Sequence, residues 1–132
     1  MKSFITTAVL LACISMSLAA VINVPGDSTT IQAGINGAVT GDTVLVASGT
    51  YYENLNYNGK DIVLTSVAGP EHTIIDGSSN GAVVLIVSGE SNAAVLDGFT
   101  IQHGSGSPSL NDPDKKFGGG ICLRYDFSPR LS

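Results

Sequence analysis

Residues 72–77 read HTIIDG and residues 93–98 read AAVLDG, so two apolar residues, an Asp and a Gly are written twice in succession. The stretch belongs to a longer rhythm. One series of short runs is Val44-Leu45-Val46, Val63-Leu64-Thr65 and Val84-Leu85-Ile86, and a second is Asn54-Leu55-Asn56, Thr73-Ile74-Ile75 and Ala94-Val95-Leu96. The two series advance in step: Asn54, Thr73 and Ala94 are spaced as Val44, Val63 and Val84 are. Each period also closes on a similar turn: Asn58-Gly59, Asn80-Gly81 and His103-Gly104. A hairpin meander favours short turns between strands of about equal length. Here unlike segments alternate, and like recurs only after a full period, which predicts a chain that winds into stacked coils. The predicted fold class is all-β, a parallel β-helix (solenoid) whose equivalent strands pair in parallel about 4.8 Å apart.

In such a coil Ile74 and Val95 are expected to stack inside. Asp76 and Asp97 are expected to stack at the following corner, each accepting hydrogen bonds from nearby amides. Gly77 and Gly98 would then supply the positive φ of the turn. Ahead of the repeats, residues 28–40 (STTIQAGINGAVT) place Ile31, Ile35, Ala38 and Val39 at helical spacing. This predicts a short amphipathic helix, capped by Ser28 or Thr29 and ending near Gly41.

The chain has 132 residues, the size of one domain, and with 43 % hydrophobic against 13 % charged residues it can bury a core. Its formal charge is −5, and its basic pair Lys115-Lys116 stands beside Asp112 and Asp114, so it lacks the clustered cations that nucleic-acid phosphates require. The N-terminus reads as a signal peptide over 1–19: Lys2, an apolar Phe4–Ile14, then Ser17-Leu18-Ala19 with cleavage before Ala20. No transmembrane segment is expected after that cut. The alternative export signal is Leu10-Leu11-Ala12-Cys13, which loosely matches a lipoprotein box with Cys13 lipidated. After cleavage Cys122 is the sole thiol, so there is no internal disulfide; it reads as a small apolar residue in the strand Ile121-Cys122-Leu123.

Several stretches, GDTVLVASGTYYENLNYNGKDIVLTS (41–66), GPEHTIIDGS (69–78), AAVLDGFTIQHG (93–104) and GGGICL (118–123), resemble the N-terminal part of right-handed parallel β-helix proteins of the pectin-lyase-like superfamily. The resemblance runs from about Val24 to the last residue. It implies a bacterial secreted or cell-surface protein, a right-handed coil, and a short helix capping its N-terminal end. The implied organisation is a signal peptide over 1–19, an N-terminal strand and capping helix over 20–40, and β-helix coils over 41–132. Members usually run for many coils, so this chain is expected to be the front of a longer one, with further coils downstream. The superfamily includes lyases, hydrolases, esterases and adhesins, so the resemblance does not fix an activity.

Catalytic chemistry finds little support in these residues. Lyases of this kind hold Ca²⁺ with acids and use Arg or Lys as base; hydrolases use clustered Asp. Asp76 and Asp97 are the carboxylates that the repeat itself would bring together, and corner hydrogen bonding explains them better than a cation site. Asn111-Asp112-Pro113-Asp114 alternates oxygen ligands, a partial Ca²⁺ pattern that lacks the glycine and distant Glu of a full loop and reads as a solvated turn. His72 and His103 have no partner at zinc-ligand spacing, and no metal or other cofactor is expected. Gly104-Ser105-Gly106-Ser107 lacks the nucleophile-elbow pattern and reads as a loop. Arg124 and Arg130 would serve as lyase bases only in a cleft completed by later coils. Tyr51, Tyr52 and Tyr57 are candidates for sugar contact, weighed against ordinary strand packing.

The expected function is an exported scaffold binding a polysaccharide or another cell-surface component, without catalysis in this segment. The alternative is the N-terminal fragment of a polysaccharide lyase or glycoside hydrolase with its active site downstream. A third reading is a structural rod that presents other domains.

Overall fold

The computed structural model describes residues 18–108, 114, 116, 117 and 119–124. The leader through Ser17 with Cys13, residues Asn111, Asp112 and Pro113 of the Ca²⁺-like pattern, Lys115, Gly118 and Arg130 lie outside the described residues.

The chain opens with β1 (Val21–Val24) and α1 (Ile31–Gly37). Then follow β2 (Thr43–Val46), β3 (Gly49–Tyr52), β4 (Leu55–Asn56), β5 (Val63–Ser66), β6 (Thr73–Asp76), β7 (Val84–Ile86), β8 (Val95–Asp97) and β9 (Thr100–Gln102). A small antiparallel pair, β10 (Ser107–Pro108) with β11 (Lys116–Phe117), precedes β12 (Ile121–Leu123). The other strands form three parallel sheets, β1-β2-β5-β8, β3-β6-β9 and β4-β7-β12. The chain visits them in rotation: β2, β3, β4, then β5, β6, β7, then β8, β9 and, after the antiparallel pair, β12. The protein is thus all-β with parallel sheets and little helix. Among the described residues no helix is long and apolar enough to cross a membrane.

The partners differ from those the two sequence series suggest. Val44 pairs with Leu64, not Val63, and Leu64 pairs in turn with Leu96. Val84 stands in another sheet, between Leu55 and Ile121. The second series separates entirely: Leu55, Ile74 and Val95 occupy three different sheets, so Ile74 does not stack on Val95. The reason is unequal turns. The round from Leu64 to Leu96 is more than half as long again as the round from Val44 to Leu64, so a constant step misassigns strands as soon as a turn lengthens.

The correct register decides which side chains meet. Shifting a strand by one residue exchanges its inner and outer faces. Leu64 is fully buried while Val63 is half-buried, and Ile75 rather than Ile74 joins the core. That core gathers Val44, Val46 and Leu64 from one sheet, Ile75 from the second, and Leu55 and Val84 from the third.

Ile31 and Ile35 of α1 close the core against β1, β2 and β4. Thr30 caps the helix, its hydroxyl accepting from the Ala33 amide at 3.1 Å, in place of the expected Ser28 or Thr29. The helix ends at Gly37, short of the expected Gly41. A distant acid completes the cap: the two oxygens of Glu53 accept from the Ile31 and Gln32 amides, both at 3.0 Å. A carboxylate there satisfies orphaned donors and favours the positive end of the helix dipole. Gly34 leaves room for the sheet, since a Cβ there would stand 3.0 Å from Val44 Cγ1 and 3.1 Å from Val24 Cγ2.

Thr73 is fully buried, and its Oγ1 has no hydrogen-bond partner among the described residues. Valine has nearly the same shape without the orphaned hydroxyl. Thr73→Val is therefore expected to raise stability by roughly 1 kcal/mol in urea unfolding. An unchanged or lower midpoint would mean that the hydroxyl is satisfied in solution.

Candidate functional site

The sheet β3-β6-β9 carries the most distinctive polar surface. Its registers align Tyr51, Ile75 and Ile101 on one side of the pleat, and these pack on the core. The next positions, Tyr52, Asp76 and Gln102, lie side by side across the three strands. Side chains alternate faces along a strand, so these point the other way, outward. Tyr52 is 71 % exposed.

Asp76 is the fixed point of this row. It is 5 % exposed and accepts three hydrogen bonds: Ser78 N–H to Oδ1 at 2.8 Å, and Gln102 Nε2 to Oδ2 at 3.0 Å, with His103 Nδ1 at 2.7 Å from the same Oδ2. The Gln102 amide above all, then the Ser78 backbone N–H and the His103 ring, hold its carboxyl below the usual carboxylate range. Asp76 is therefore ionised at neutral pH. Its negative charge fixes Gln102 and orients the His103 ring, whose side chain is 63 % exposed. The other ring nitrogen, Nε2, has no partner among the described residues and is free to bond a ligand. His103 reaches this position with φ of 54°, a left-handed backbone that turns the chain at the end of β9.

A depressed carboxylate pKa has a defined sign in folding. Its stabilisation is complete above the unfolded-state value, near 3.9, and is lost as pH falls through the lower folded-state value. Asp76→Asn is expected to flatten the acid side of the stability profile below about pH 4. Asp97→Ala, by contrast, should leave stability within about 0.5 kcal/mol, because Asp97 is exposed and no hydrogen bond among the described residues holds its side chain. Thermal melts from pH 7 down to pH 2 check both; equal acid sensitivity of wild type and Asp76→Asn would remove Asp76 from this role.

The remaining candidate residues fall elsewhere. Asp76 does not stack on Asp97, which lies in another sheet beside Thr65. Gly98 does take a positive φ, 85°. Gly77 does not: it is glycine for space, since a Cβ would stand 2.6 Å from Val83 Cγ2 and 3.0 Å from the His103 carbonyl. Asn58 and Gly59 turn the chain together with φ of 54° and 79°. At the next turn the left-handed residues are Ser78, Ser79 and Gly81, not Asn80. Asn80 instead closes the turn, its N–H donating to the Gly77 carbonyl at 3.0 Å and its own carbonyl accepting from Asn54 Nδ2 at 3.2 Å.

Of the three tyrosines, Tyr52 alone is largely exposed. Tyr57 is fully buried, which corrects the expectation of sugar contact there, and its hydroxyl donates to the Val95 carbonyl at 2.7 Å. Tyr51 is half-buried, with its hydroxyl on the Ala47 carbonyl at 2.9 Å. Cys122 lies half-buried in β12 opposite Leu85. Ser105 is tied down, accepting from the Gly81 amide at 2.7 Å and donating to the Ser79 carbonyl at 2.9 Å, so it is no nucleophile awaiting a base.

Gln102 and the role of His103 escaped the sequence reading. Gln102 lies further along the chain than the rhythm that drew attention to Asp97 would place a partner for Asp76. The available signal was Ile75-Asp76-Gly77 set against Ile101-Gln102-His103-Gly104, in which a single inserted residue separates the two patterns.

The row offers an aromatic face, two planar polar groups and an imidazole, all held by a sheet. The Asp76 carboxylate is engaged by three donors, and the carboxylate of Glu53 caps α1. Among the described residues no three His, Cys, Asp or Glu side chains gather as a metal site. Comparison with protein-family models, with curated proteins and with solved structures finds no match to this chain.

Proposed function

We propose that this protein is an exported right-handed parallel β-helix that binds polysaccharide through the outer face of its β3-β6-β9 sheet, without catalysis in these residues. The rotation of the chain through three parallel sheets supports the coil. The leader-like N-terminus supports export. The observation that carries the binding reading is Tyr52, largely exposed beside the fixed Asp76, Gln102 and His103.

Sugars present apolar C–H faces and a rim of hydroxyls. Tyr52 supplies a rigid ring for the face, with little side-chain entropy to lose. Gln102 and His103 supply directional groups for the rim, already oriented by Asp76 and so needing little reorganisation on binding. A row running across strands repeats at about the strand spacing, roughly 4.8 Å, which suits an extended chain lying along the sheet.

The test is binding to a panel of neutral and acidic glycans and cell-wall fractions. Tyr52→Ala is expected to weaken binding at least about tenfold, equivalent to roughly 1.4 kcal/mol. Asp97→Ala, in a different sheet, is expected to bind as wild type. Failure to bind any member of the panel, or undiminished binding by Tyr52→Ala, would overturn the proposal. Unsaturated, ultraviolet-absorbing ends released from polyuronates would replace it with the lyase reading.

A further inference from the structure

Ala20 is held at both of its backbone groups. Its N–H donates to Asp42 Oδ1 at 2.9 Å, and its carbonyl accepts from the Thr43 amide at 2.9 Å, prolonging the β1–β2 ladder by one step. The residues before it are not: Leu18 is 82 % exposed, and Ala19 is exposed too. The ladder therefore begins at the residue that follows the small-residue pattern Ser17-Leu18-Ala19.

Asp42 is only 5 % exposed, and its second oxygen accepts from the Val39 amide at 2.9 Å. The Val39 and Ala20 amides hold its carboxyl below the usual carboxylate range. No Lys, Arg or His among the described residues pairs with this charge. A nearly buried carboxylate is thus oriented by two neutral amides, with one oxygen aimed at the nitrogen of Ala20.

We propose that the chain is cut between Ala19 and Ala20 and that the α-ammonium group so created is bound by Asp42. A peptidase of the export machinery hydrolyses the Ala19–Ala20 amide with one water. The C–N bond breaks, Ala19 retains the water oxygen in its new carboxylate, and Ala20 takes the protons as an α-ammonium group. At neutral pH that group is mostly charged, since a free α-amine titrates near pH 8. The nitrogen need not move. A hydrogen bond from a neutral amide to the carboxylate becomes one between opposite charges, adding a Coulombic attraction to the same contact. Ala20 lies at the surface, so the protons not taken by Asp42 remain solvated. Removal of the leader then strengthens the first strand of the sheet it leaves behind. The inference rests on the export reading, and its test separates the two.

The full chain is expressed in a secreting host, and the exported protein is sequenced from its N-terminus. Ala20 as first residue is expected; any other start overturns the cut. Three forms are then compared by thermal unfolding: the chain starting at Ala20, the same chain Nα-acetylated, and a chain starting at Ala19. Acetylation restores a neutral amide at the same nitrogen, and the extra alanine moves the charge off it. The free Ala20 form is expected to melt a few degrees above both others. That gap should close in Asp42→Asn, which keeps an oxygen acceptor without the charge. Equal melting of the free and acetylated forms in the wild-type background overturns the docking by Asp42, whether or not Asp42→Asn folds.

Discussion

Truncation of Tyr57 to alanine is expected to cost about 3–5 kcal/mol, a large part of the roughly 5–15 kcal/mol that holds a typical domain together. The ring is fully enclosed, in the same cluster as Ile62, Leu64 and Val84, so its removal leaves a void that the surrounding strands cannot close. The hydroxyl adds a second contribution. It crosses from the turn after β4 to the carbonyl of Val95 at the start of β8, tying the first round of the chain to the third. Tyr57→Phe keeps the packing and leaves that carbonyl without its donor, and is expected to cost about 1 kcal/mol. Burial first, and then the Glu90 charge, push the phenol's pKa up. Tyr57 should thus stay neutral where an ordinary tyrosine ionises, near pH 10. Urea unfolding of the two variants, with the slope checked for constancy, measures both contributions. A cost below about 1 kcal/mol for Tyr57→Ala would contradict its burial, and a loss of any glycan binding in Tyr57→Phe would contradict its separation from the proposed ligand face.

Leu64→Ala is expected to cost about 2–5 kcal/mol, whereas Val63→Ala, at the adjacent position, should cost about 1 kcal/mol or less. Leu64 is fully buried, between Val44 and Leu96 in its ladder. Val63 lies between Thr43 and Val95, on the face whose upper member, Val95, is 38 % exposed. The pair of variants reads the register directly. The repeat in the sequence aligns Val44 with Val63 and would make Val63 the costly truncation. A reversal of the two values would therefore overturn the pairing of Val44 with Leu64.

Much of the architecture was legible because parallel strands of short β-branched runs, separated by Gly, Asn and Ser, leave a strong periodic trace. The alternation of unlike segments pointed to parallel pairing between successive rounds, and the sheets pair in that way. The register was not legible, because turns of different length shift the repeat without altering the strands. A run such as Val63-Leu64-Thr65 does not announce whether its first or second residue faces inward; the neighbours across the ladder decide. The same limit governed the candidate site. Asp76 was visible as an Asp before a Gly, but its true neighbours Gln102 and His103 are set by pairing with β9. Tyr51, Tyr52 and Tyr57 looked alike in sequence. Pleat alternation separates Tyr51 from Tyr52, and Tyr57, just after β4, is buried within the core cluster. Gly77 and Gly98 also looked alike, yet Gly77 is required by crowding alone, whereas Gly98 is crowded by Ser66 and takes a left-handed backbone as well.

The unequal rounds have a consequence for how such a chain can change. The return to one sheet from Val84 to Ile121 is longer than the preceding return from Leu55 to Val84, with β10 and β11 accommodated on the way. The ladder keeps its alignment throughout. Doubling the length of a flexible connection adds only about 0.6 kcal/mol to its closure, while a slip by a single position inside a strand reverses every side chain. Variation is therefore cheap between strands and prohibitive within them. The same frame can accept foreign peptides at its corners, and the segment that already houses β10 and β11 is the natural place to graft one.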